Sequence, residues 1–129
     1  MPAPTSVPRP TPGELKLLSI LWERGPSTVR DILDAQADAN VGYTTVLKLL
    51  QIMDKKGLVD RDASRRPHIF RAAIAREETQ RGLLGNLMER AFSGSAASLV
   101  LRALSDHRPS REELSEIRAL LDRIEEEQA

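Results

Sequence analysis

One stretch, Tyr43 to Lys56 closed by Gly57, constrains the fold more than any other. Within it Val46, Leu49, Leu50 and Met53 recur at i, i+3, i+4 and i+7, which makes one apolar face of an α-helix. Gly57 supplies the left-handed position at which such a helix stops. Two short runs containing Val, Ile and Phe follow at once, Leu58 to Asp62 and His68 to Ala72, separated by the polar Ala63-Ser64-Arg65-Arg66-Pro67. This pattern predicts a β-hairpin with a basic tip. Two strands of that length are marginal alone, so the hairpin is expected to lie against helices.

Upstream, Thr11-Pro12-Gly13-Glu14 has the form of a capping box with Pro at the first helical position. Leu15, Leu18 and Trp22, with Leu17 and Leu21 beside them, then predict a helix over 12–24 that Gly25-Pro26 ends. Ser27 is expected to cap a short second helix carrying Val29, Ile32 and Leu33, which gives way to a polar turn from Gln36 to Asn40. The first ten residues hold four prolines and no apolar run, which suits a disordered arm and not a signal peptide.

From Arg76 onward the pattern is helical. Leu83, Leu84, Leu87, Met88 and Phe92 precede a break at Ser93-Gly94-Ser95, and Leu99, Val100, Leu101, Ala103 and Leu104 follow it. Ser110-Arg111-Glu112-Glu113 is a second capping box, opening a helix whose Leu114, Ile117, Leu121 and Ile124 form an a/d seam. The expected architecture is mainly α with a small β-hairpin wing: a winged helix-turn-helix over 11–75, then a helical dimerisation region over 76–129.

Composition agrees with this plan. The chain is 40% hydrophobic but only 3% aromatic, so its core is built from Leu, Ile, Val and Ala, as in helical proteins. With no Cys, thiolate metal ligands, disulfides and thiol switches are excluded. The apolar runs are far shorter than the roughly 20 residues that span a bilayer, so no membrane insertion and a cytoplasmic location are expected. Net charge is zero, yet residues 1–75 carry 11 Lys or Arg against 8 Asp or Glu, and residues 76–129 carry the reverse excess. A basic segment joined to an acidic one suits a polyanion-binding module fused to something else, although charge this modest also suits an ordinary solvated surface.

Thr44, Lys48, Gln51 and Lys55 fall on one polar stripe of the third helix, opposite its apolar face. Hydroxyl, amide and ammonium groups so arranged can meet phosphate oxygens and base edges in a major groove. Tyr43, Thr44, Thr45 and Lys48 are expected nearest the DNA, because helix-turn-helix proteins use the N-terminal part of this helix. The hairpin adds Arg65 and Arg66 at its tip, then His68 and Arg71, as candidates for phosphate or minor-groove contacts. Each feature alone equally describes the wet face of an amphipathic helix or a charged turn. Their joint occurrence at the third helix and the following hairpin favours double-stranded DNA. Leu99, Leu101, Leu104, Leu114, Ile117, Leu121 and Ile124 are expected to pack against a second copy, because they leave more apolar surface than one small module can bury. A winged-helix module that binds another protein is the alternative.

An enzyme is not indicated. His68 and His107 lie in different elements, no Ser sits in a Gly-x-Ser-x-Gly elbow, and neither a phosphate-binding loop nor a dinucleotide fingerprint occurs. Asp60 and Asp62 flank Arg61 and suit charge balance better than metal binding. No cofactor is implied.

Leu18 to Trp22, Gly25-Pro26-Ser27-Thr28-Val29-Arg30-Asp31-Ile32, Tyr43-Thr44-Thr45-Val46, Lys56-Gly57-Leu58-Val59 and Phe70-Arg71-Ala72 together resemble the penicillinase and methicillin-resistance repressor family. The resemblance spans roughly residues 11–125. It implies a winged-helix repressor that dimerises through its C-terminal helices on a palindromic operator. It also puts Thr44, Thr45, Leu47 and Lys48 at base-proximal positions. Leu47 and Ile52 stand where relatives often carry basic residues, and Lys48 stands where Thr is common, so the operator is expected to differ. In relatives induced by a membrane sensor-protease system, an Asn-Phe bond is cut at positions that match Arg102-Ala103 here. The Cys cluster of the copper-responsive branch is missing.

Overall fold

In the computed structural model, which describes residues 9–36 and 40–129, every predicted element forms. Most of the expected N-terminal arm, and residues 37–39 of the polar turn, lie outside the described residues. The order is α1 (Pro12–Arg24), α2 (Val29–Ala35), α3 (Tyr43–Lys56), β1 (Val59–Asp62), β2 (Ile69–Ala72), α4 (Arg76–Ala91), α5 (Ala96–Asp106) and α6 (Arg111–Gln128). The chain divides into two compact units between Leu84 and Gly85.

Local chemistry sets the helix ends. Thr11 and Glu14 form the capping box of α1: the Glu14 N–H donates to Thr11 Oγ1 at 3.2 Å, and the Thr11 N–H donates to Glu14 Oε1 at 2.8 Å. Gly25, at φ 82°, ends the helix. At the end of α3, Gly57 adopts φ 81° and ψ 16°, its N–H donates to Asp54 O, and the Leu58 N–H donates to Met53 O at 2.9 Å. This is a Schellman stop, and its accompanying apolar contact falls on Met53 and Leu58, both fully buried.

The cap of α2 corrects one expectation. Thr28, not Ser27, caps it, forming a capping box with Asp31 through hydrogen bonds of 3.0 and 3.1 Å. Ser27 is withdrawn from capping because its backbone is already paired with Phe70, with Ser27 N–H to Phe70 O at 2.9 Å and Phe70 N–H to Ser27 O at 2.8 Å. The antiparallel hairpin, in register Val59↔Ala72 through Asp62↔Ile69, thereby gains a third backbone partner from the α1–α2 turn. That supplies the support which two four-residue strands lack alone.

The core of the first unit is drawn from every element around it: Leu17, Leu18 and Leu21 of α1, Val29 and Ile32 of α2, Val46, Leu50 and Met53 of α3, then Leu58, Val59 and Phe70. Beneath α3, Glu14 is 1% exposed and chelates the Lys56 ammonium at 3.0 and 2.9 Å, joining the first turn of α1 to the last turn of α3. The Trp22 indole N–H donates to Ile74 O at 3.0 Å, and the Arg76 guanidinium stands 5.8 Å from the centre of the Trp22 ring. These two contacts tie α1 to the segment that opens α4.

The second unit is built differently. Ser95 caps α5 by accepting from the Ser98 N–H at 3.1 Å, and Ser110 and Glu113 form the capping box of α6. Yet none of residues 85–129 is buried. Among the described residues no helix is long and apolar enough to cross a membrane.

Two stability effects follow. Phe70→Ala should cost about 3–5 kcal/mol, since it opens a core site while leaving the strand backbone, and should lower the urea midpoint accordingly. Burial raises the Glu14 carboxyl, but the Thr11 N–H and the Lys56 ammonium outweigh it and hold the group below the usual carboxylate range. Its stabilisation is therefore present above the unfolded value of about 4.3 and is lost as pH falls through the lower folded value. Glu14→Gln keeps the cap but removes the charge. It should destabilise by about 1–3 kcal/mol at neutral pH, and the difference from wild type should vanish on acidification.

Candidate nucleic-acid interface

The polar stripe of α3 lies on the side away from the core. Val46, Leu50 and Met53 are fully buried, whereas Thr44, Thr45, Lys48, Gln51 and Lys55 are exposed and Tyr43 is 44% exposed. The division follows from the 3.6-residue period: once the apolar positions are committed to the core, these five can only face outward. Leu47 departs from the others. It is half-buried against the core and offers at most an apolar edge.

Adjacent lysines meet different fates. The Lys56 ammonium is engaged by Glu14, while no ion pair involves Lys55 among the described residues. Of the basic residues near α3, Arg61 is 4.0 Å from Asp54 of that helix, at ion-pair distance and not at hydrogen-bond distance. It is therefore directed toward its own domain.

The hairpin presents the remaining cations. Asp62 opens the tip by accepting the Ser64 N–H at 3.0 Å and the Ser64 hydroxyl. The Ser64 hydroxyl and N–H, with Arg65 and Arg71 nearby, hold the Asp62 carboxyl below the usual carboxylate range. Arg65 approaches Asp62 only at 4.0 Å and its side chain remains 74% exposed. A pair so exposed contributes little and leaves the guanidinium free for another anion. Arg66 and Arg71 are exposed, and neither forms a salt bridge among the described residues.

Sequence spacing gave no sign of Arg30. Its guanidinium, on the exposed side of α2, stands 5.8 Å from the centre of the Tyr43 ring. The contact crosses from the second helix to the first residue of the third, within cation–π range. No local pattern signals it, because it joins residues on two different helices.

The residues expected at a second-copy interface all lie on α5 and α6. Leu101 is 67% exposed, Leu121 51% and Ile124 38%, while Leu99, Leu104, Leu114 and Ile117 are half-buried. Leu101, Leu104 and Leu114 line a groove where α5 turns into α6. Among the described residues no group of His, Asp or Glu is placed to hold a metal ion.

Comparison with known proteins bears on this arrangement. A MarR family protein from Bacillus stearothermophilus is similar at 22% identity, with 92% of this chain and 74% of that one covered and a TM-score of 0.47. A transcriptional regulator from Thermotoga maritima is similar at 20% identity, with 89% and 73% covered and a TM-score of 0.45. No curated protein gives a significant match. The penicillinase repressor family model matches residues 10–123, from just before the first capping box to the last turns of α6. The chain therefore belongs to the penicillinase repressor family of DNA-binding transcriptional regulators.

Proposed function

We propose that this protein is a cytoplasmic, non-enzymatic repressor that binds a palindromic operator as a homodimer. In this reading residues 11–75 hold the DNA and residues 76–129 hold the partner. The observation that carries it is the absence of any buried side chain in residues 85–129, together with the exposure of Leu87, Val100, Leu101, Leu120, Leu121 and Ile124. Helices with apolar faces and no interior of their own are incomplete. Covering the exposed part of each of these half-covered side chains contributes about 1 kcal/mol, and a second copy covers several at once. A twofold axis then sets two α3 helices roughly 34 Å apart, one turn of DNA, and so calls for a palindrome.

On each half-site Tyr43, Thr44, Thr45, Leu47 and Lys48 would lie toward the bases. Gln51, Lys55, Arg65, Arg66 and Arg71 would lie toward the sugar-phosphate backbone. The phosphate contacts supply affinity and the N-terminal half of α3 supplies discrimination. Induction by a membrane sensor-protease would need a cut at Arg102-Ala103. Both residues are exposed, but they sit within α5, so cleavage there requires local unwinding.

Sedimentation should give twice the 14.3 kDa chain mass, and Leu101→Glu with Leu121→Glu should give monomers that keep the far-ultraviolet spectrum of the wild type. A wild-type monomer at micromolar concentration would refute the dimer.

Mobility shift and footprinting on DNA around the protein's own gene should reveal two protected half-sites. With about 6 to 10 phosphates contacted, affinity should fall by about 10³ to 10⁵ between 50 and 200 mM salt. Arg65→Ala with Arg66→Ala should weaken binding to all sequences alike and flatten the salt slope by about 1 for each phosphate that is no longer neutralised. A flat salt response in the wild type would instead favour a protein-binding winged helix.

A further inference from the structure

A cavity of about 240 Å³ lies between the first turns of α3 and the wing. Its walls combine two kinds of group that a bare phosphate contact does not need together. Val29 and Phe70, both buried, and the half-buried Leu47 make an apolar floor, while Tyr43, Arg66 and His68 form the rim. Arg66 has no carboxylate partner among the described residues, and the Arg30 guanidinium, which is not part of the lining, lies 5.8 Å from the centre of the Tyr43 ring. No Asp or Glu lines the cavity.

We infer that this cavity is an effector site for a small aromatic carboxylate, whose ring fills the apolar floor against Tyr43 while its carboxylate meets the Arg66 guanidinium. The volume lies just below the range of drug-sized pockets and suits a single ring. The Arg66 guanidinium, with no acid among the lining residues, selects an anion. The guanidinium fork matches a carboxylate in particular. The inference rests on the reading of α3 and the wing as the DNA face. An occupant held there stands between Tyr43 and Arg66, the two groups that would approach DNA together, so ligand and operator exclude one another. Release of DNA then needs neither proteolysis nor a thiol.

The test uses the full chain without DNA. Benzoate, its neutral isostere benzamide and inorganic phosphate are titrated while the resonances of Tyr43, Leu47, His68 and Phe70 are followed by NMR. Benzoate should shift these residues saturably. Benzamide should bind ~10-fold more weakly, that being the worth of a charge-assisted hydrogen bond, and Arg66→Ala should erase the difference between the two. In a mobility shift at constant ionic strength, benzoate should then raise the apparent Kd for DNA by the factor one plus its concentration divided by its own Kd. Shifts confined to other residues, or none, would overturn the site, as would equal shifts from phosphate, which would mark a plain anion contact. Because binding is read without DNA, benzoate bound at these residues by a protein with no affinity for DNA supports the cavity assignment and overturns only the repressor reading. DNA binding indifferent to saturating benzoate overturns the exclusion.

Discussion

Phe70 serves the fold twice. Its ring is 1% exposed at the centre of the core, and its N–H and C=O both pair with Ser27 in the turn between α1 and α2. A hairpin of two four-residue strands has too little surface to hold itself together, and its basic tip would otherwise be free to swing. Pinned at Phe70, the wing stands beside α3, and Arg66 shares a cavity with Tyr43 and Leu47 of that helix. The Schellman stop at Gly57 completes the arrangement. It turns the chain from α3 straight into β1, with Met53 and Leu58 both buried in the core.

The Glu14–Lys56 pair acts on the last turn of α3 from the side of α1. A buried carboxylate is costly unless fully hydrogen-bonded. Glu14 meets that condition through the Thr11 N–H and two bonds from Lys56. Since Lys56 keeps a side-chain exposure of 38%, only one of the two ions is removed from water. The pair holds the end of α3 to the start of α1. The same neutralisation takes Lys56 out of the set of cations that face outward.

Much of this was legible in the residues themselves. The caps at Thr11, Gly57 and Ser110, the apolar period of α3 and the two runs of the hairpin each reveal an element within a few residues of chain, because helix ends and side-chain periodicity are local properties. The exposure of Thr44, Lys48, Gln51 and Lys55 follows from the same periodicity. The capping role expected of Ser27 did not survive, because pairing with Phe70 is a long-range contact that no local pattern announces. Arg30 beside Tyr43 was invisible for the same reason. So was the cavity whose floor draws on α2, α3 and β2.

Local spacing was enough to dictate six helices, a hairpin, their order and the polar stripe of α3, since each rests on interactions among residues close together in the chain. Which groups remain available to a partner was decided only when the chain closed. Lys56 and its neighbour Lys55 are the same residue type at adjacent positions, yet one is held by a carboxylate 42 residues away and the other is not. The surplus of apolar helix face after residue 76 was legible in the sequence, but that none of residues 85–129 is buried within the single chain emerges only in three dimensions, because burial depends on which helices meet.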